Sequence, residues 1–423
     1  LKGDEAPLSR SFWEMLVLTG LVAGLAGGLL MRLLRFIEDV AFHSARSGGF
    51  LEGVRSTSYE RRVTVLLIAG LFAGAVALLA NRFKGDTDLS GAVWSRSGRM
   101  PVLKSSIKAL CSIIVVGMGA AVGRENALKQ AGGVIANLSA SWRNLPDEQR
   151  RLLVACGGGA GMAAAYNVPL GGAFFAMEVL LGSFSMRTAL PAFTASMLAT
   201  WASWLLLPDR PTYVIAASTA SVSLVAWACV AGPLCGLLAV PFIRLLGWAK
   251  AQKPKSWQTF VFPVLSLALL GGVAIKYPEM LGNGKDVVQL SFLNASTTSL
   301  LFVLLFVRPL ATALILRSGV PGGLFTPTMC LGAVAGLLLG RGWAAILPHG
   351  FAGEQLPSFA LIGSGAVLAA ATQGPVSSII FVLELTRTAD STMVPLLIAV
   401  VLATSVTRLF EERSIYSIEI VRS

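Results

Sequence analysis

A few charged and hydroxyl-bearing residues, set in glycine-rich apolar surroundings, carry the chemistry of this sequence. In GMGAAVGRENALKQAGG (117–133) the apolar run is interrupted by Arg124, Glu125 and Lys129. Charges at membrane depth are costly and mark function by default. Glu125 follows Gly123 and Arg124 at the expected start of a short helix. A helix N-terminus presents N–H groups without intrahelical acceptors and the positive end of the macrodipole, an arrangement that binds anions. A carboxylate tethered there is its own anion, able to occupy the site and compete with a mobile ion. A second reading stands beside this one: Glu125 and Lys129, four residues apart, form a structural ion pair. In SGVPGGLFTP (318–327), Pro321, Gly322 and Gly323 break one helix and Leu324 to Pro327 start another. Glycine admits close approach to the backbone and proline suits a first helical turn. The N–H groups of Leu324 and Phe325 then face an anion, or the segment is an ordinary helix–helix turn. Tyr416 follows the last apolar run, either as an interfacial aromatic or as a hydroxyl donor to an anion.

The elements that position these residues are membrane helices. Of 423 residues 55% are hydrophobic and 13% charged, about half the charged share of an ordinary soluble domain. Mean hydropathy is +0.72. This composition excludes a soluble enzyme, a disordered chain and a disulfide scaffold, and predicts an all-α polytopic membrane protein with short loops. Full-length spans of about 20 apolar residues are expected near 12–36, 62–81, 102–122, 187–207, 218–246, 258–275, 297–316 and 392–409. Shorter, glycine-broken pieces lie near 126–141, 152–165, 168–185, 323–346, 357–371 and 375–386. They read as re-entrant or broken helices packed on protein or lining a cavity.

The net charge of +12 reads as orientation by the positive-inside rule, with a basic, anion-attracting pore as the sharper alternative. Nucleic acid is not an expected partner. Arg244, Lys250, Lys253 and Lys255 form the best cytoplasmic cluster. The five cysteines lie in apolar stretches without CxxC spacing and read as small buried hydrophobes. Neither histidine, His43 or His349, has a ligand cluster around it, so no metal, cofactor or catalytic residue is expected. A serine or zinc protease is excluded by the absence of GxSxG and HExxH.

The chain also repeats itself. GGGAGMAAAYNVPLGGAFFAME (157–178) aligns with GSGAVLAAATQGPVSSIIFVLE (363–384) at an offset of 206, matching Pro169 to Pro375 and Glu178 to Glu384. A weaker pairing at offset 200 matches Gly123, Gly132 and Val134 to Gly323, Gly332 and Val334. One membrane domain over 1–423 is expected, with repeats 12–207 and 218–416 and no soluble regulatory domain. Such repeats place a site near the midplane between them.

These stretches resemble the CLC chloride channel and transporter family, as a prokaryotic member without CBS domains. GREN (123–126) resembles its GREG/GKEG motif, GGLFTP (322–327) its GxFxP motif, and AAAYNVPLGGAFFAMEV (163–179) its FNAPLAG…E segment. GNG (282–284) resembles a glycine-rich break in the second half, and IYS (415–417) the C-terminal tyrosine segment. The resemblance implies two inverted-topology halves and a homodimer with one pore per subunit, in the bacterial inner membrane. It implies that Glu125 is the external gating glutamate, that Leu324 and Phe325 are backbone donors at the central anion site, and that Tyr416 contacts that anion. Arg124 and Asn126 join the anion-binding candidates, and Lys129 is a candidate gate partner.

Three departures bear on mechanism. Where the family has GSGIP, this chain offers Gly85-Asp86-Thr87-Asp88. The family's anion-holding serine is absent; Asp86 falls nearest its place, and Thr87 substitutes if the alignment slips by one. Asn126-Ala127 stands where the family usually has Gly-Pro. Val179, next to Glu178, occupies the position of the exchangers' inner proton glutamate. The first expectation is therefore passive chloride conduction, and the second proton-coupled antiport of chloride or another anion. Fluoride/proton antiport comes after these, because that branch tends to lack the tyrosine found here at 416.

Overall fold

The computed structural model describes residues 7–85, 88–215, 221–252, 254–346, 356–388 and 392–418. The described residues form helices joined by turns and loops, without a β-strand beyond one isolated bridge. The first helices are α1 (Arg10–Phe42), α2 (Ser44–Ser47), α3 (Phe50–Ser56), α4 (Tyr59–Ala80), α5 (Leu89–Trp94) and α6 (Val102–Gly117). There follow α7 (Glu125–Trp142), α8 (Asp147–Tyr166), α9 (Pro169–Phe174), which runs into a π-helical turn Phe175–Leu181, and α10 (Met186–Ser203). Next come α11 (Val222–Ala251), α12 (Gln258–Lys276), α13 (Lys285–Phe292) and α14 (Thr298–Arg317). The last are α15 (Phe325–Ile346), α16 (Leu356–Thr372), α17 (Pro375–Thr386) and α18 (Met393–Phe410). Among the described residues seven are long and apolar enough to cross a membrane: α1, α4, α11, α12, α14, α15 and α18.

The helices differ from the expected spans and broken pieces at four places. α6 stops at Gly117, short of 102–122, because the chain turns at Gly119 with φ 103°. α10 covers Met186–Ser203 and is not among the seven. The piece 323–346, expected to be broken, is one continuous helix, α15. Its Gly332, Gly336 and Gly340 do not interrupt it. A side chain at any of them would strike α16, at Gly363 and Phe359. These glycines let two helices approach closely, as small residues do in membrane interiors. The same holds for α8, unbroken through Gly157–Gly159, where Gly157 lies against Gly132 of α7. Four of the five cysteines are buried, whereas Cys229 is exposed on the outside of spanning helix α11.

Packing groups the described chain into two compact units, one from 1–31, 84–106 and 128–210, the other from 32–83, 107–127 and 211–423. In the first, α10 packs on α8 and α9, and Gly20 and Gly24 of α1 receive Ala195 and Ala199 of α10. In the second, the tightest pairs are α15 with α16, α4 with α12 and α11 with α18. There Gly232 and Gly236 of α11 receive Ala399 and Ala403 of α18, the same device with the same spacing. The junctions match as well. α8 ends at Tyr166, Asn167 turns with φ 58°, and α9 starts on Pro169; α16 ends at Thr372, Gln373 turns with φ 57°, and α17 starts on Pro375. This division by contact does not follow the expected repeats 12–207 and 218–416, which rest on likeness in sequence.

Candidate anion site at paired helix N-termini

Two helices begin at one point in the second unit. Gly123 and Gly323 face each other as an antiparallel bridge and exchange both backbone hydrogen bonds, at 2.8 and 2.7 Å. Two residues later, at Glu125 and Phe325, α7 and α15 start. Each start leaves N–H groups without intrahelical acceptors at the positive end of a macrodipole. The segment before Glu125 is pinned at each step. Gly119 O accepts from Gly282 N at 2.8 Å, and Ala121 O accepts from Thr312 Oγ1 at 2.8 Å. The Gly282 turn is held in turn by Arg308, a buried residue that donates to Glu279 O at 2.7 Å and to Gly282 O at 2.6 Å.

The Glu125 side chain lies across this junction, fully buried. Oε1 accepts from Phe325 N at 2.6 Å, and Oε2 accepts from Thr326 Oγ1 at 3.3 Å. A buried carboxylate is tolerated only where donors replace its water. A helix N-terminus replaces it with oriented N–H groups, and each charge-assisted bond contributes about 1.5–3 kcal/mol. Both bridging residues must be glycine for this pose, because a methyl group on Gly123 or Gly323 would land on the Glu125 carboxyl group. The backbone at the start of α15 directs the Phe325 N–H toward the carboxylate, and the Phe325 ring packs on Phe381 at 4.6 Å between centroids.

The structure therefore brings together Glu125 and Phe325 among the expected site residues, and adds Thr326. Leu324 is buried beside them, its carbonyl accepting from Thr328 Oγ1 at 2.5 Å. Arg124 is buried; Asn126 is half-buried on the first turn of α7. The charge of Arg124 acts on Glu38, Lys285 and Asp286. At the start of α13, burial pushes the Lys285 ammonium below its ordinary value, aided by Arg124, and pushes the Asp286 carboxyl above its own. Lys129 is buried on α7, four residues after Glu125.

Tyr416 is buried in the turn that follows α18. That turn is tied to α16 by Ile415 N donating to Ala371 O at 2.9 Å, and to α11 by Lys250 Nζ donating to Ile415 O at 2.9 Å. Just upstream, Arg413 and Arg244 hold the Glu411 carboxyl below its ordinary range. Glu178, half-buried, and Val179, buried, sit in the π-helical turn of the first unit. Asp86 and Thr87 lie outside the described residues. Their neighbour Asp88 caps α5, its Oδ1 accepting from Gly91 N at 2.8 Å.

Sequence reading passed over Thr326, Thr312 and Arg308. Arg308 did carry a signal, a lone charge inside the apolar run 297–316, of the kind that marks function or a buried pairing. The two threonines carried none, since a hydroxyl inside an apolar helix usually bonds its own backbone.

The arrangement matches known proteins along most of its length. Residues 65–408 match the family model described as voltage gated chloride channel. The voltage-gated ClC-type chloride channel ClcB of Escherichia coli K12 is 30% identical over 422 residues, with 96% of this chain and 98% of that protein covered. ClcB of Citrobacter koseri is 29% identical over 420 residues, with the same coverage. Among solved structures, a slow cyanobacterial Cl⁻/H⁺ antiporter superposes with a TM-score of 0.85 at 21% identity, covering 98% of each chain. A CLC-type fluoride/proton antiporter superposes with a TM-score of 0.76 at 19% identity, covering 98% of this chain and 99% of the other. At such identities the structures speak to the fold, and the family model and the ClcB relatives to descent: the chain belongs to the voltage-gated chloride channel (CLC) family.

Proposed function

We propose that this multi-pass membrane protein conducts chloride or a similar small anion passively, through a site at the N-terminus of α15 that the Glu125 carboxylate occupies when the path is closed. CLC proteins are anion channels and transporters, not enzymes, so anion transport follows from membership. The observation that carries the finer reading is the buried Glu125 Oε1 accepting from Phe325 N at 2.6 Å. An anionic group sits where a mobile anion would find the same donor, so the two compete for one place. Leu324 and Tyr416 complete the path in this reading, with Arg124 and Asn126 beside it. Lys129 adds positive potential one turn below the gate. Lys129→Met is then expected to lower anion flux at neutral pH or shift its pH profile; unchanged flux and profile remove Lys129 from the account.

Passive conduction is supported by Val179, whose side chain cannot relay a proton. Proton-coupled exchange is the second reading, supported by the half-buried Glu178 beside it. The two solved structures named above are antiporters by their descriptions, whereas the ClcB relatives are named as channels. Reconstituted liposomes separate these readings. Under an imposed chloride gradient, conduction gives chloride flux without proton uptake, and exchange gives uphill proton movement abolished by Glu178→Gln. Running fluoride beside chloride tests the remaining branch.

Two repeats, 12–207 and 218–416, are part of this reading. They are supported by the paired helix starts at Glu125 and Phe325 and by the matched turns at Asn167 and Gln373. So are a homodimer with one pore per subunit and residence in a bacterial inner membrane, both carried over from family membership.

A further inference from the structure

We propose that the ends of α11 and α14 form a docking surface for the phosphate headgroup of an anionic phospholipid, anchored on Arg317 and Lys255 and flanked by Trp248 and Trp257. Arg317 is the last residue of spanning helix α14, and Trp248 and Lys250 lie in the last turn of spanning helix α11. Lys255 and Trp257 belong to the short connection from α11 to α12. That connection meets the chain just past α14, since a methyl group on Gly319 would lie 3.2 Å from the Pro254 ring. These residues therefore gather at one end of the second unit. Two spanning helices finish there, which puts it at the depth of lipid headgroups.

What singles the place out is an arginine without an acid. The Arg317 guanidinium lies over the Trp248 ring at 4.9 Å. Its Nε is buried without a hydrogen-bond partner, and among the described residues neither Arg317 nor Lys255 forms an ion pair. The cations nearby are engaged elsewhere. Arg244 and Arg413 share Glu411, and Lys250 donates to Ile415 O. A guanidinium is a planar fork matched to phosphate oxygens, and stacking on an indole adds to its hold. Trp248 is 46% and Trp257 64% exposed, as indoles are where acyl chains meet headgroups. Cations clustered at the ends of spanning helices attract anionic lipid. The exposed indoles favour a lipid over a free phosphate ion, which makes no use of them. The surface adjoins the anion path at two points: Arg317 directly precedes the stretch 318–324 that enters α15, and Lys250 holds the turn that carries Tyr416. The inference itself does not depend on the gate reading.

Fluorescence quenching in phosphatidylcholine vesicles tests this, with bromine carried on the acyl chains of either added phosphatidylglycerol or the phosphatidylcholine itself. The chain has nine tryptophans, so the Trp248 signal is read as the difference between the wild type and Trp248→Phe. Brominated phosphatidylglycerol is expected to quench that signal more strongly than brominated phosphatidylcholine at equal bromine content. The preference is expected to fall about fivefold in Arg317→Gln and about fivefold again when Lys255→Gln is added, the order of one cation's attraction to an anionic membrane surface. Equal quenching by the two lipids in the wild type overturns the proposal. So does a preference that survives in the double variant. Inorganic phosphate, added at matched ionic strength, is expected to leave the preference unchanged; if it abolishes the preference, the site takes a soluble ion and the lipid assignment falls. Should Arg317→Gln fail to fold, Lys255→Gln, at an exposed position, is judged alone by the same fivefold fall.

Discussion

Glu125→Ala is expected to raise anion flux at neutral pH by on the order of tenfold to a hundredfold, and to flatten its pH profile. The magnitude follows from what the side chain holds. The charge-assisted bond from Phe325 N to the carboxylate contributes about 1.5–3 kcal/mol, and each 1.4 kcal/mol is about a factor of ten in occupancy. A mobile anion must displace that pose before it can use Phe325 N. The sign of the pH effect follows from charge. Protonation removes the negative charge that competes, so flux through the wild-type chain rises as pH falls. Without the carboxyl no competing side-chain charge is present at any pH, and the profile is expected to go flat. Glu125→Gln keeps the shape without the charge and is expected to match the wild-type chain at acid pH. Liposome efflux at a series of pH values reads all three. A Glu125→Ala protein that titrates like the wild type removes Glu125 from the gate.

The second large effect is at glycine. In Gly323→Ala the new methyl group meets Glu125 Oε1, Cδ and Cγ before anything else. The backbone at 323 is not left-handed, so alanine fits the chain itself, and the three atoms nearest its methyl group all belong to the gate. Overpacking of this kind costs about 1–3 kcal/mol. The cost is expected to vanish in the Glu125→Ala background, a coupling that a double-mutant cycle of melting temperatures in detergent measures directly. The single variant should also lose pH-dependent flux, since the carboxylate can no longer lie against the bridge. Gly123→Ala is expected to behave in the same way, because its nearest atoms also belong to Glu125. A melting-temperature loss that is the same with and without the Glu125 carboxyl would show that the bridge needs glycine for some other reason.

Much of this site was legible in the chain. Glu125 drew notice as a charge in an apolar run, and GGLFTP as a helix start. The offset of 200 that matched Gly123 to Gly323 turned out to name the two residues that face each other in the bridge. That Glu125 reaches across to Phe325 rather than pairing only along its own helix was not legible, because periodicity reports neighbours on one helix and says nothing of the helix opposite. Glycine misled in one specific way. In 323–346 the glycines read as breaks in a helix, whereas their role is close packing of α15 on α16. The true breaks, at 118–124 and 318–324, carry a left-handed turn at Gly119 and Gly319. Composition alone does not separate these uses, since both need a residue without Cβ.

If the Phe325 N–H at the start of α15 is the place that the Glu125 carboxylate and the transported anion share, anomalous diffraction from Glu125→Ala crystals grown in bromide will show a bromide peak within hydrogen-bonding distance of Phe325 N, and wild-type crystals will show the carboxylate alone at that donor. No bromide at Phe325 N in the variant, or bromide there in the wild type while Glu125 keeps its pose, would rule out sharing.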